Sequence, residues 1–189
     1  MRRWGWAKRW RMFQDDRRAV VLVEMAMIMP VVVVLALGGF EITRFALLQQ
    51  KLDRLSVTIA DMVAQSKTMS AGNLDQIFAA TSSVMAPFAV GDISAVIVSS
   101  VSATGGQVAK VAWQRNGGGS LTAVSGIGAV SQPALLPAGF VVRDGENAII
   151  AESYYDFTPM FIPDLVPPRR LYHRAMFRPR FGSLAVLSP

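Results

Sequence analysis

The feature that most constrains this fold is an apolar run near the N-terminus. Residues 20–40 read VVLVEMAMIMPVVVVLALGGF, with Glu24 as the one charged residue. At about 1.5 Å per residue, a helix of this length covers roughly 30 Å, which is the hydrocarbon thickness of a bilayer. A cleaved secretory signal is the main rival, but its apolar core is shorter, at about 7 to 15 residues. We therefore predict a transmembrane helix over residues 20–42.

The net charge of +6 is concentrated just before this run. Residues 1–19 contain seven basic and two acidic side chains, whereas the remaining residues carry twelve basic and eleven acidic ones. Because basic flanks stay on the cytoplasmic side of a span, residues 1–19 are predicted to be a cytoplasmic leader and the rest to lie outside the cytoplasm. The nearly neutral body excludes nucleic acid as an expected partner.

Two residues inside the apolar run are exceptional. Glu24 is an ionisable group in a segment where burying a charge costs a few kcal/mol on insertion scales, which makes it a candidate functional residue. The alternative is that its side chain reaches the membrane surface and pairs with Arg17 or Arg18. Pro30 lacks an amide proton and predicts a helix kink, which membrane helices tolerate.

The helical pattern continues beyond the apolar run, and one helix is predicted from about residue 19 to residue 65. Over residues 43–66, a helix extension outside the membrane, apolar side chains recur at spacings of three and four with polar residues between them. We expect this packing seam to face the protein's own domain or, as the alternative, a partner helix. Its members are Phe45, Leu48, Leu52, Leu55, Ile59 and Met62.

Residues 72–189 are predicted to form a small α+β domain. Ser70, Ala71 and Gly72 interrupt the helical pattern, and a second short helix is expected over residues 74–85. A long Gly-rich surface loop is expected over residues 116–139, and Gly105 with Gly106 suits a tight hairpin. Runs rich in β-branched and aromatic residues predict four strands of an antiparallel sheet, at residues 93–101, 107–115, 147–157 and 171–178.

No constellation of residues indicates catalysis or a cofactor, so the chain is expected not to be an enzyme. The chain has one histidine, His173, and no cysteine, which makes a zinc site improbable. Four acidic residues near the third strand could bind a metal, but their spacing fits solvated strand ends and turns at least as well. These are Asp144, Glu146, Glu152 and Asp156.

Both ends of the chain resemble a known family. From Arg17 the sequence reads RRAVVLVEMAMIMPVVVVLALGGFEITRFALLQQKLDRLSVTIADMVAQS, with basic residues, an apolar run containing a glutamate and then a proline, a second glutamate and an amphipathic helix. Near the C-terminus, SYYDFTPMFIPDL is followed by LYHRAMFRPR. In this order the features resemble TadE-like proteins, minor pilins or pseudopilins of the tight adherence (Tad) pilus system.

The resemblance implies a pilin-like fold and a role in assembly. The chain would be anchored in the bacterial inner membrane with a periplasmic domain, and its partners would be the major pilin, other minor pilins and platform proteins. A prepilin peptidase would cut between Ala19 and Val20, leaving Glu24 as the fifth residue, where it could pair with the α-amino group of a neighbouring subunit. Prepilins usually have glycine before the cut, whereas this chain has Ala19. Without cleavage, the protein would act as an anchored assembly factor.

Overall fold

A long helix dominates the computed structural model, which describes residues 17–188. This helix, α1, spans Arg17–Ala64, or 48 residues, and is therefore about 70 Å long. Pro30 lies inside it and the helix continues through that residue. The single long helix expected from the sequence is confirmed, while the kink at Pro30 stays a prediction.

Two short helices follow where the sequence predicted one over residues 74–85. They are α2, Ala71–Ala79, and α3, Thr81–Met85. The helix begins earlier than predicted because the Ser70 hydroxyl caps it, accepting a hydrogen bond from the amide of Asn73 at 3.2 Å. It divides where the Ala80 amide donates to the Ile77 carbonyl, three residues back, instead of continuing the α-helical pattern.

A four-stranded antiparallel sheet forms the rest of the domain, as the sequence predicted. The strands lie in the order β2-β1-β3-β4, so the first and third strands are central. Each strand begins within three residues of its predicted start. The bounds are Ser94–Ser102 for β1, Lys110–Gly117 for β2, Asn147–Phe157 for β3 and Arg169–Phe177 for β4. The α+β fold class is confirmed.

The connection between β1 and β2 is longer than the tight hairpin expected from its two glycines. Gly105 and Gly106 have φ values of 67° and 71°, a conformation that side chains disfavour, and the amide of Gln107 closes the turn by donating to the Thr104 carbonyl. The strands themselves end at Ser102 and resume at Lys110. The glycines therefore form a turn within a wider connection.

One face of the sheet packs on α1. Fully buried side chains of the helix, among them Leu48 and Ile59, meet Val98 and Ile149 of the two central strands in one apolar core. This contact places the C-terminal half of α1 across the sheet. The N-terminal half of the helix extends beyond the domain.

The opposite face of the sheet is covered by the segment between β2 and β3. The sequence predicted a surface loop over residues 116–139, and this is wrong in part: Ile127 is fully buried and packs with Val111 and Ile150. The central strands β1 and β3 are buried on both faces, so each face of the sheet has a cover. The segment supplies the second cover without regular secondary structure.

Candidate functional site

The N-terminal half of α1 is an exposed apolar rod. Every residue from 20 to 36 is exposed, including Leu22 and Leu35 at 69% each. Its most apolar 18-residue window has a mean hydropathy of 2.8 and no buried residue. A helix this apolar that packs on nothing within its own domain has the length and composition to cross a membrane. Single-pass anchoring is consistent with it.

Glu24 projects from this exposed rod. Its side chain is exposed, as are those of the neighbouring Val23 and Met25. Val20, the residue after the predicted cleavage position, is 49% exposed and lies within the helix. The side chains of residues 17–19 and all of residues 1–16 lie outside what the structure describes, so pairing with Arg17 or Arg18 and the leader itself stay predictions. The rod therefore presents its carboxylate outward.

A second glutamate marks the point where the rod meets the domain. Glu41 is fully buried, and its Oε2 accepts hydrogen bonds from the amides of Met160 and Phe161 at 2.9 and 3.0 Å. The Arg44 guanidinium lies 3.4 Å from Oε1 and also donates to the Thr158 carbonyl at 3.0 Å. The carboxylate is thus compensated by two amides and one cation, which is the condition for burying it. It ties the β3–β4 connection to α1.

An apolar groove opens beside this junction, on the domain side of the rod. It has a volume of about 490 Å³ and lies between α1, the segment after α3 and the β3–β4 connection. Phe40 and Leu47 contribute from α1, Phe88 from the segment after α3, and Met160 from the connection. The size and lining suit an apolar segment better than a charged ligand.

Comparison with known proteins bears on this same helix. Residues 19–60 match the family model described as TadE-like protein. The chain carries a TadE-like segment. The resemblance inferred from the sequence is confirmed over these residues. No curated protein and no solved structure matches the chain.

The TadE-like segment includes most of the predicted packing seam. Leu48, Leu52, Leu55 and Ile59 are all at most 2% exposed, and Phe45 packs its ring against Phe157 at 5.2 Å. These residues face the protein's own sheet, which leaves no room for a partner helix on that side. The C-terminal half of the segment is therefore used for folding.

Met62 does not belong to this seam, and its assignment was wrong. It is 42% exposed, whereas its neighbour Val63 is fully buried. A strict alternation of three and four residues has a period of 3.5, but a straight helix turns every 3.6 residues, so the buried side drifts by about 20° per heptad. By the end of α1 the drift has moved the buried position one residue along the chain.

His173 lies between β4 and α1, where both ring nitrogens face polar side chains of the helix. Its Nε2 is hydrogen-bonded to the Gln49 amide oxygen, and its Nδ1 lies 3.8 Å from the Asp53 carboxylate. Both partners are on α1, and the TadE-like segment includes both. The histidine thus joins β4 to the helix.

Glu152 is the feature that sequence reasoning missed. It was predicted at a solvated position, but it is fully buried on the face of the sheet opposite α1, under the segment between β2 and β3. Its oxygens accept hydrogen bonds from the Ser125 hydroxyl, from the Gly126 amide at 2.9 Å and from the Tyr172 hydroxyl at 2.8 Å, and the Tyr154 hydroxyl lies 3.1 Å away. Two donors come from the covering segment, so the carboxylate attaches that segment to the sheet. No sequence pattern connects residues so far apart.

This environment raises the pKa of the tyrosines around Glu152. Burial, reinforced by the neighbouring Glu152 charge, raises the pKa of Tyr154 well above its usual value. Burial and the hydrogen bond to Glu152 raise the pKa of Tyr172 to about 12. Both hydroxyls therefore stay protonated at neutral pH and can donate to the carboxylate.

The other three acidic residues are dispersed: Asp144 is exposed, and Asp156 and Glu146 form separate contacts. Asp156 forms a two-pronged pair with Arg170 at 2.7 and 2.8 Å, and this hydrogen bonding lowers the pKa of Asp156. Glu146 lies near Arg143 and Arg178, at 3.9 and 3.6 Å. Within residues 17–188, no three His, Cys, Asp or Glu side chains are grouped to hold a metal ion. The metal interpretation of these carboxylates therefore has no geometric support.

Proposed function

We propose that this protein is a minor pilin or pseudopilin of a Tad-type pilus, anchored in the bacterial inner membrane with its N-terminus in the cytoplasm and its domain in the periplasm. The observation that carries the proposal is the TadE-like match over a helix whose first half is apolar, exposed and marked by Glu24. The basic residues before the helix support the orientation.

The division of α1 supports an assembly role. The half that packs on the sheet uses its apolar stripe for the protein's own core, so the rod at residues 20–36 offers the larger free apolar surface for lateral contacts with other subunits. An apolar helix surface packs readily on other apolar helices within a membrane. Major pilin, other minor pilins and platform proteins are the proposed partners, and the chain is proposed to act without enzymatic activity or a cofactor.

Glu24 gives this contact a register. A carboxylate in the bilayer costs a few kcal/mol, and a neighbouring cation would offset part of this cost. Cleavage between Ala19 and Val20 by a prepilin peptidase would create such a cation, the new α-amino group, four residues before Glu24. A subunit arriving next to another could then place one subunit's amine beside the other's carboxylate.

The test is complementation of a strain in which the gene has been deleted. We expect the deletion to abolish or reduce surface pili and the wild-type gene to restore them. Glu24→Gln, which keeps the side-chain shape and removes the charge, should insert normally but fail to restore pili. Met27→Gln is the matched control, because Met27 is 74% exposed on the same rod and the variant introduces the same amide without removing a charge. Full piliation with Glu24→Gln would contradict the proposal.

Processing is tested separately by determining the N-terminus of the membrane-extracted protein. Cleavage predicts a chain that begins at Val20 in cells with an active prepilin peptidase. An intact Met1 in those cells would contradict the mature-pilin version and leave the role of an anchored assembly factor.

The apolar groove favours a second candidate function, that of an anchored periplasmic scaffold or binding module that never enters a filament. Phe40, Phe88 and Met160 would hold an apolar segment of a partner there. Shearing surface filaments from cells distinguishes the two functions. A minor pilin should appear in the sheared fraction, whereas a scaffold should stay with the membrane.

A further inference from the structure

The connection between β3 and β4 carries a cluster of exposed apolar side chains. Residues 158–168 read TPMFIPDLVPP, with Asp164 as the one charged residue. Met160, Phe161 and Leu165 are 62%, 48% and 45% exposed. Contiguous exposed apolar side chains are rare on a soluble surface and mark a site of interaction.

This cluster lies against residues 38–41 of α1, just beyond the exposed rod. A Cβ atom placed on Gly38 would lie 3.3 Å from Leu165 Cδ2 and 3.9 Å from Ile162 Cδ1, so glycine permits the close approach. The Phe161 ring meets the Phe40 ring edge to face, with centroids 5.7 Å apart. Glu41 fixes the same connection through two backbone amides. The cluster is therefore held at the level of residues 38–41.

We propose that residues 160–165 form a membrane foot, which contacts the lipid bilayer beside the point where α1 leaves it. The inference rests on the proposed membrane anchor. A helix rises 1.5 Å per residue, so Gly38 lies about 3 Å closer to the bilayer centre than Phe40, where the apolar run ends. Side chains packed on Gly38 are then at the depth of the boundary between headgroups and acyl chains.

Lipid is the occupant that fits this surface, because the foot is continuous with the exposed rod. Between Pro30 and Phe40, α1 has no exposed polar side chain, and the foot extends the same apolar surface sideways. Amphipathic surfaces of this kind bind the interface in proportion to the apolar area that they bury there.

The foot would give the domain a second point of attachment. A single helix leaves a domain free to tilt and to rotate about the helix axis, whereas a helix and an adjacent foot define one orientation. The hydrogen bond from the Met160 amide to Glu41 fixes the foot to α1. Because the foot follows β3 closely in the chain, the sheet would take the same orientation. The groove beside Phe40 and Met160 would then have a fixed height above the membrane.

The test uses single-cysteine variants, since the natural chain has no cysteine. The full chain is reconstituted at low protein-to-lipid ratio in vesicles of phosphatidylethanolamine and phosphatidylglycerol. Met160→Cys and Leu165→Cys are labelled with an environment-sensitive fluorophore and exposed to aqueous iodide. Leu35→Cys, on the rod, is the reference for a position inside the lipid. Val186→Cys is the aqueous reference, since Val186 is 78% exposed and Ser188, two residues further on, pairs with Ser70, beyond the other end of α1.

The foot predicts blue-shifted emission and loss of iodide quenching at positions 160 and 165, as at position 35, with full quenching at 186. Quenching at 160 and 165 equal to that at 186, with position 35 still protected, would overturn the foot and leave the anchor intact. Protection at 160 and 165 that appears only at high protein-to-lipid ratio would also overturn it, because a second copy would then be the cover. Quenching at position 35 would overturn the anchor and the foot together.

Discussion

Residues 20–36 and residues 41–64 belong to one continuous helix, but they have opposite surroundings. The first stretch is exposed on every side, whereas the second buries one side against the sheet. Apart from Glu24, the first stretch is apolar all round, whereas the second has an apolar stripe with polar residues opposite. The stripe specifies packing on the protein's own domain, whereas the uniform surface packs on no part of the described chain.

The largest expected effect is on the free energy of unfolding, and it comes from substitutions in residues 41–64. Leu52→Ala should lower the free energy of unfolding by about 2–5 kcal/mol, because it leaves a cavity where a 1% exposed side chain packs on the sheet. Val57→Ala, at a 41% exposed position of the same half, should change it by less than about 0.5 kcal/mol. Urea unfolding of the detergent-solubilised chain measures both. Equal effects would show that the seam does not hold the domain.

A charge in the exposed half should have the complementary effect. Val31→Arg places a cation near the middle of the apolar run and should cost about 2.5–3.5 kcal/mol of membrane insertion. The unfolding of the domain should not change, since Val31 is 59% exposed and contacts no part of the core. Membrane fractionation measures the first quantity and urea unfolding the second. A loss of domain stability in Val31→Arg, with Val31→Leu normal, would contradict the division of the helix.

The boundary between the halves depends on Glu41. Glu41→Ala leaves the amides of Met160 and Phe161 without their acceptor and should cost about 1–3 kcal/mol locally. Hydrogen exchange at residues 158–165 should accelerate, while exchange in β1 stays slow. Glu24→Ala, in the exposed half, serves as the control and should leave exchange at residues 158–165 unchanged. Equal protection in both variants would mean that Glu41 does not fix the connection.

A smaller effect concerns pH and belongs to the sheet on which residues 41–64 pack. All three tyrosines have a raised pKa, with burial as the largest cause in each, and that of Tyr172 is raised to about 12. Because the unfolded tyrosine ionises near pH 10, the stability that these groups contribute is complete below pH 10 and falls as the pH rises towards the folded value. Ultraviolet titration should show tyrosinate appearing at higher pH in the native protein than in urea. Coincident curves would contradict the buried environment.

The elements of this fold could be predicted because periodicity reports local structure. The long helix and the four strands were visible in spacings of three and four and in β-branched runs, and their bounds shifted by only a few residues. The start of α2 was predicted too late because Ser70 and Gly72 interrupt the helical pattern. A capping serine interrupts such a pattern just as a loop does. Met62 was misplaced because the helix period is not a heptad.

What could not be predicted depends on contacts between distant residues. Glu152 is buried only because Ser125 and Gly126, far along the chain, supply donors from the covering segment. Glu41 is buried for the same reason, through the amides of Met160 and Phe161. An acidic side chain has no local signal of burial, since its ordinary place is in solvent. The tertiary donors decide its position.

The central claim is that the exposed half of α1 is an assembly surface and more than an anchor. The most direct test replaces residues 20–40 with an unrelated leucine-rich span of equal length that retains Gly38 and Phe40, and scores surface pili in the deletion strain. An assembly role for this surface predicts an inserted, folded protein that restores no pili, with partial recovery when glutamate is returned to position 24. Full piliation by the leucine-rich span without glutamate would contradict it.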